Sequence, residues 1–265
     1  MRRSALLALL AAFLGCAASP APTATPATPS GAVTSAPEPR AAAAGPETIH
    51  IDATTFSMGS DDGRRNERPA HDVSVKAFDI DRLETTVAGY AACVTAGKCA
   101  APVPPPGKDR FCNWGKTERA QDPINCIDWN EARIYCEFRG KRLPTEAEWE
   151  LAARGTDGRR WPWGNTPPGT RELCWHRLQG EQGTCPVGSF PDGASPYGVL
   201  DLAGNVSEWT ADHLCPYSTP DCKTEDYVGR GGSWDYSNAA NVTATGRLGG
   251  PADHKRDLLG VRCAR

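Results

Sequence analysis

The chain is poor in histidine, and its five copies are scattered without ligand spacing. No Cys-x-x-Cys pair occurs either, so a structural zinc site on thiolates and imidazoles is not expected. Lysine and arginine form no run, and the formal net charge is -3. A phosphate backbone therefore finds no electrostatic footprint, and nucleic acid is not expected as a partner. The apolar run Ala5 to Leu14 is too short to span a bilayer as a helix. Neither an internal repeat nor a coiled-coil heptad is present. From Gly155 to Ser233 helical and strand periods are almost missing, and so long an irregular stretch needs another source of order, such as disulfides or a metal ion.

What is abundant is glycine, proline and tryptophan, at 27, 23 and 8 residues. Large rings and turn residues point to a loop-rich fold in which helix is the minority state. The N-terminus carries Arg2 and Arg3, the apolar run, then Gly15 and Cys16, the order of a secretory signal. A cysteine directly after the small residue resembles a bacterial lipobox, which makes Cys16 the expected lipidation site. Residues 1–16 thus read as a lipoprotein signal peptide. Residues 17–46, built from Ala, Pro, Thr and Ser, bury too little to offset their ordering entropy and read as a disordered tether. Residues 47–265 read as one folded domain.

With Cys16 set aside, ten cysteines remain, an even number in an exported chain, and a disulfide framework follows. Cys93 with Cys99, Cys174 with Cys185 and Cys215 with Cys222 each close a small loop, worth roughly 2–3 kcal/mol in the chain-entropy estimate. Cys112 with Cys126 brackets the loop before a helix. Cys136 and Cys263 are left to join the middle of the domain to its end, worth roughly 4–5 kcal/mol.

The regular elements announce themselves by their caps. Ile49 to Met58 and Asp72 to Phe78 read as extended segments. Thr86 caps a first helix running to Gly97, with Val87, Tyr90, Ala91 and Val94 on one face. Asp128 and Glu131 form a capping box for a second, which ends at Gly140 and aligns Trp129, Ala132 and Cys136. Thr145 and Glu148 do the same for a third, which packs Trp149, Ala152 and Ala153 and closes at Gly155. Strands are expected near Val228 to Trp234 and over Leu259 to Ala264.

Six segments in register carry a resemblance. They are Phe56-Ser57-Met58-Gly59, Arg142-Leu143-Pro144-Thr145-Glu146-Ala147-Glu148-Trp149-Glu150, Pro162-Trp163-Gly164-Asn165, Gly204-Asn205-Val206-Ser207-Glu208-Trp209, Arg230-Gly231-Gly232-Ser233-Trp234 and Gly260-Val261-Arg262-Cys263. Over residues 49–265 the chain resembles the formylglycine-generating (sulfatase-modifying) enzyme family. The resemblance implies an irregular α+β fold related to C-type lectins, and it implies the Cys136–Cys263 bridge as well. Enzymes of that family oxidise a cysteine of a sulfatase peptide to formylglycine with molecular oxygen. Two cysteines just after the Gly-Gly-Ser motif hold copper(I), an ion suited by soft thiolates. In this sequence those positions are Tyr236 and Asn241, so copper is not an expected cofactor. Ser233 matches a family active-site serine, for which a structural role is expected without the metal.

The resemblance also implies calcium, a hard cation taking oxygen ligands. One family site maps onto side-chain oxygens of Asp201 and Glu208 and the main-chain carbonyls of Gly204 and Val206. A second lacks its aspartate between Cys174 and Phe190, where the Cys174–Cys185 bridge stands in. The leading expectation is a noncatalytic, lipid-anchored domain that binds a protein or glycan partner at the cell envelope, at the outer membrane in preference to the inner. The alternative is an enzyme of altered chemistry, for which Ser233, Asp235, Tyr236 and His254 would have to converge in one pocket. A formylglycine-generating oxidase with displaced cysteines is the third reading, and it requires two free, adjacent thiols.

Overall fold

In the computed structural model the described residues are 47–265 apart from 105, 108 and 176–182, so Cys16, the leader and the tether lie outside them. The three helices form where the caps place them. In α1 (Val87–Thr95) the Thr86 hydroxyl accepts from the Gly89 N–H, and Val87, Tyr90 and Cys93 are buried. Ala91 and Val94, expected on the inner face, are only half-buried, and the buried line runs through Val87, Tyr90 and the disulfide-bonded Cys93 instead. In α2 (Trp129–Phe138) and α3 (Glu146–Arg154) both capping boxes are complete, with Asp128 and Glu131 on one and Thr145 and Glu148 on the other. Gly155, at φ 64, ends α3 in a backbone region that favours glycine.

The strands are shorter than the sequence suggests. The extended segment 49–58 is two strands, β1 (Thr48–Ile51) and β2 (Thr54–Met58), which pair with different partners. The next segment also splits, into β3 (His71–Val75) and β4 (Phe78–Asp81). β1 runs antiparallel to β4 and β2 antiparallel to β3. A four-stranded sheet carries the order β7-β6-β5-β8, with β5 (Ser207–His213), β6 (Asp226–Arg230), β7 (Arg247–Pro251) and β8 (Leu259–Gly260).

Two expected strand ends are corrected. β6 stops at Arg230 because Gly231 and Gly232, at φ 93 and 73, turn the chain, and a Cβ on Gly232 would lie 2.4 Å from the Asn241 carbonyl oxygen. β8 stops at Gly260, and Ala264 only bridges singly to Ile80 and to Arg142. β5 falls inside the stretch that had no legible period. Its first four residues are buried on both faces, so polar and apolar residues do not alternate.

Two apolar clusters flank this sheet. Trp149, Leu151, Phe56, Met58 and Ile80 build one, and Tyr90, Tyr135, Ile124, Trp209 and Val261 build the other. The ten cysteines of the described residues pair as Cys93–Cys99, Cys112–Cys126, Cys136–Cys263, Cys174–Cys185 and Cys215–Cys222, the pairing that spacing suggested.

Candidate functional site

The Gly204-Asn205 turn is the anchor of the irregular half. Asp201, Gly204 and Asn205 all adopt left-handed backbone, at φ 60, 79 and 55. Gly204 must be glycine there, since a Cβ would come within 2.4 Å of the Cys174 carbonyl oxygen. Asn205 then clamps the Cys174–Cys185 loop: its N–H donates to Cys174 O at 2.8 Å, and its Oδ1 accepts from the Cys185 N–H at 3.0 Å. These bonds tie the two described ends of that loop to the turn.

Beneath the turn lie three buried carboxylates and one buried guanidinium. Arg262 grips Glu208 through two 2.7 Å hydrogen bonds, and the Trp149 indole donates to the same carboxylate at 2.6 Å. Asp201 Oδ2 accepts from the Gly188 N–H at 2.6 Å. Glu84 accepts from the Asn205 amide at 2.5 Å and from the Val206 N–H at 3.1 Å. Burial pushes Asp201 up to about 6. Burial and the neighbouring charges of Asp201 and Glu208 hold Glu84 well above the usual carboxylate range. Arg262, with Arg82 acting on Asp201 as well, does not balance three carboxylates, so the nest either keeps a proton or takes up a cation. Carboxylates and main-chain carbonyls are the hard oxygen donors that calcium prefers, so the residues present fit it by donor type; both Glu208 oxygens already accept from Arg262, and an ion there would have to share them. Among the described residues no trio of His, Cys, Asp or Glu side chains stands as a metal site, so the carbonyls of Gly204 and Val206 would have to complete the shell. Sequence reasoning did not assign Glu84 or a role for Arg262. No local pattern marks either, because their partners stand 122 and 54 residues away.

A second buried charge network supports α3. Arg230 pairs with Glu150 and donates to the carbonyls of Thr245, Gly246 and Ala244 at 2.9, 3.0 and 3.1 Å. Glu150 also takes Arg154 at 2.9 Å and the Gly59 N–H at 2.7 Å. Five of the six segments that carry the resemblance are thus joined to one another through buried ion pairs and hydrogen bonds.

The four residues that an altered enzyme would use do not converge. Ser233 is fully buried, and its Oγ has no hydrogen-bond partner among the described residues. Asp235 is exposed, and Tyr236 packs on a cluster of Trp161, Leu173, Trp175 and Val242. His254 lies against Gly250 at the end of β7. Only the main chain joins any two of them, Tyr236 N–H to Ser233 O at 3.2 Å. Clefts of about 640, 370, 350 and 190 Å³ open elsewhere, and none is lined by any of the four. The condition that the altered-enzyme reading set, one pocket shared by the four, is not met by these clefts: Ser233 and Trp234 after the Gly231-Gly232 turn are buried, and Asp235 is exposed.

Tyr236 and Asn241 do not fit copper(I). A phenol and an amide are poor ligands for that soft ion. The Asn241 side-chain Oδ1 already accepts from Arg64, and every cysteine of the described residues is in a disulfide.

Residues 33–265 match the family model described as sulfatase-modifying factor enzyme 1-like domain. The inactive C-alpha-formylglycine-generating enzyme 2 of Bos taurus is 34% identical over 267 residues, covering 82% of this chain and 87% of that protein. The formylglycine-generating enzyme of Streptomyces coelicolor is 33% identical over 281 residues, covering 82% and 88%. Among solved structures, PvdO from Pseudomonas aeruginosa superposes with a TM-score of 0.71 at 29% identity, over 83% of this chain and 94% of that one. The relatives thus include both a protein named inactive and one named for its activity, and the likeness leaves the chemistry to be argued from the site.

Proposed function

The chain belongs to the sulfatase-modifying factor enzyme 1-like domain family, and from that premise we propose that it is a noncatalytic binding or scaffold module of the cell envelope. The observation that carries this reading is the loop after Gly-Gly-Ser, where Tyr236 and Asn241 stand in place of the thiolate pair and no free cysteine of the described residues is left to replace it. The scaffold beneath that loop is retained, so what is lost is the chemistry and not the fold. Incubation of the protein with a sulfatase-type cysteine peptide, copper and oxygen, with and without reductant, gives no aldehyde by mass in this reading. Turnover above a copper-only control that disappears in Cys215→Ser would overturn it, because that result makes the Cys215–Cys222 pair a relocated site.

The lipid anchor belongs to the same proposal. The Gly15-Cys16 junction and the Ala, Pro and Thr tether after it support an exported lipoprotein, with Ala17 favouring the outer membrane. Cys16→Ala should release the protein from the membrane fraction or block its maturation, and membrane retention with cleavage elsewhere would refute the anchor. Calcium is the ion the Asp201–Glu208 turn would hold. Its chemistry there is structural: it would offset the charge of the carboxylate nest and fix the Gly204-Asn205 turn.

A further inference from the structure

A cleft of about 640 Å³ lies between the turn that carries Arg64, Arg65 and Arg68 and the loop that carries Leu214, Pro216 and Ser218. No aspartate or glutamate is among the residues lining it, although the chain as a whole is acidic. The three rim arginines are exposed. No carboxylate among the described residues pairs with Arg65 or Arg68, and Arg68 spends only its Nε, on Gly63 O at 2.7 Å. Arg64 donates to Asn241, and its Nε stands 4.0 Å from Glu67. Guanidiniums held in this way keep the planar forks that match carboxylate and sulfate groups.

The cleft is held open from below. Arg247 is buried and gripped by Glu146 through bonds of 2.6 and 2.8 Å. Its Nη1 donates to Asn66 O on one wall at 2.8 Å and to Cys215 O on the other at 3.0 Å. One guanidinium therefore sets the distance between the walls, and the Cys215–Cys222 bridge closes the second wall. A ligand meets a site already formed and does not bear the cost of ordering it.

We propose that this cleft binds an acidic oligosaccharide, whose anionic groups pair with Arg64, Arg65 and Arg68 while a sugar face lies on Leu214 and Pro216. The inference rests on the binding-module reading and names its ligand. An acidic peptide is the rival, and it would bind best by adding to a strand edge. β7 is the edge strand beside the cleft, but the Asn66 amide already donates to Arg247 O at 3.2 Å. With Arg247 O taken and Pro251 lacking an N–H, this five-residue strand has little edge left to add a peptide strand, and what remains is side-chain recognition of anions and hydroxyls, which a saccharide satisfies.

The test titrates the purified full-length protein calorimetrically with a carboxylated oligogalacturonate, a sulfated heparin fragment, a neutral oligosaccharide of equal length and hexaglutamate. Binding is expected for at least one acidic saccharide and not for the neutral one, and it should weaken with rising salt, as interactions of exposed charges do. The carboxylated and sulfated arms identify the anion. Arg65→Ala with Arg68→Ala should lower the affinity by about tenfold or more while the melting midpoint stays unchanged, since charged bidentate bonds are lost from an exposed rim. Tighter binding of hexaglutamate, equal affinity of the wild-type and double-variant proteins, or no acidic saccharide bound would each overturn the proposal. Aldehyde formation in the peptide assay would instead strike the noncatalytic reading, so the two failures are distinguishable.

Discussion

The network beneath α3 and the loop from Asp235 to Asn241 are neighbours in sequence order but opposites in construction. Arg230, Glu150, Glu208 and Arg262 are fully buried and bonded to one another's segments. From Asp235 to Asn241 every residue is exposed or half-buried, and the loop is held by turns of its own, a tryptophan cluster and the exposed Arg64 on Asn241. A buried charge cannot be exchanged singly without leaving its partner uncompensated. An exposed loop residue can, within about 0.5 kcal/mol. The difference explains how a chain can keep its family's scaffold while the residues of that loop change.

The largest expected effect tests the scaffold side. Cys136→Ser with Cys263→Ser opens a loop of sequence separation 127 and should cost roughly 4–5 kcal/mol by the chain-entropy estimate, read as a shift in the denaturant midpoint. Retention of the wild-type midpoint would show that the ion pairs hold the domain without it. Arg230→Ala takes one of the two guanidiniums from the buried Glu150, which keeps Arg154, and should cost about 3 kcal/mol, the lower end for a broken buried pair. Tyr236→Ala, on the loop side, should fall far short of that, and equal losses in the two variants would erase the contrast.

Calcium sharpens the comparison at the turn between the two regions. An ion that binds only the native state stabilises it by about 2.7 kcal/mol at 100 times its dissociation constant. Melting in calcium against chelator should show the gain, and Asp201→Ala should abolish it. Identical midpoints would mean that the Glu84, Asp201 and Glu208 nest is balanced by protons instead.

The smallest effect lies on the far edge, where β1 meets β4. His50 and Asp79 face each other across the ladder with Nδ1 and Oδ1 2.8 Å apart, and the hydrogen bond to Asp79 raises the imidazole above its usual value. A raised histidine value means that the charged form favours the folded state. Its contribution is complete below about 6.5, the ordinary histidine value, and fades as pH rises through the higher folded one. Asp79→Asn should return the His50 titration, followed by NMR, towards 6.5 or below, and an unchanged titration would remove the pair.

Much of this was legible in sequence because its cause is local. A capping box spans four residues, so Asp128 with Glu131 and Thr145 with Glu148 declared α2 and α3 outright. Small-loop cysteine pairs are local in the same sense. β5 was hidden because burial on both faces removes alternation, and the split of 49–58 into two strands was hidden because partner choice leaves no periodic trace. At the candidate site, Asp201 and Glu208 were visible within one turn, while Glu84 and Arg262 reach it from distant segments.

The sequence by itself determined the caps, the cysteine framework and the presence of Tyr236 and Asn241 at the two positions that the resemblance assigns to thiolates. Those are facts of composition and short spacing, and no packing can turn a phenol or an amide into a thiolate. Only the tertiary structure decided that Ser233 is sealed and that His254 lies apart from it. It alone set Arg262 against Glu208, and it gathered Arg64, Arg65 and Arg68 around one cleft held open by Arg247. These are meetings between residues separated by tens to hundreds of positions, and their geometry comes from packing, which no local pattern encodes.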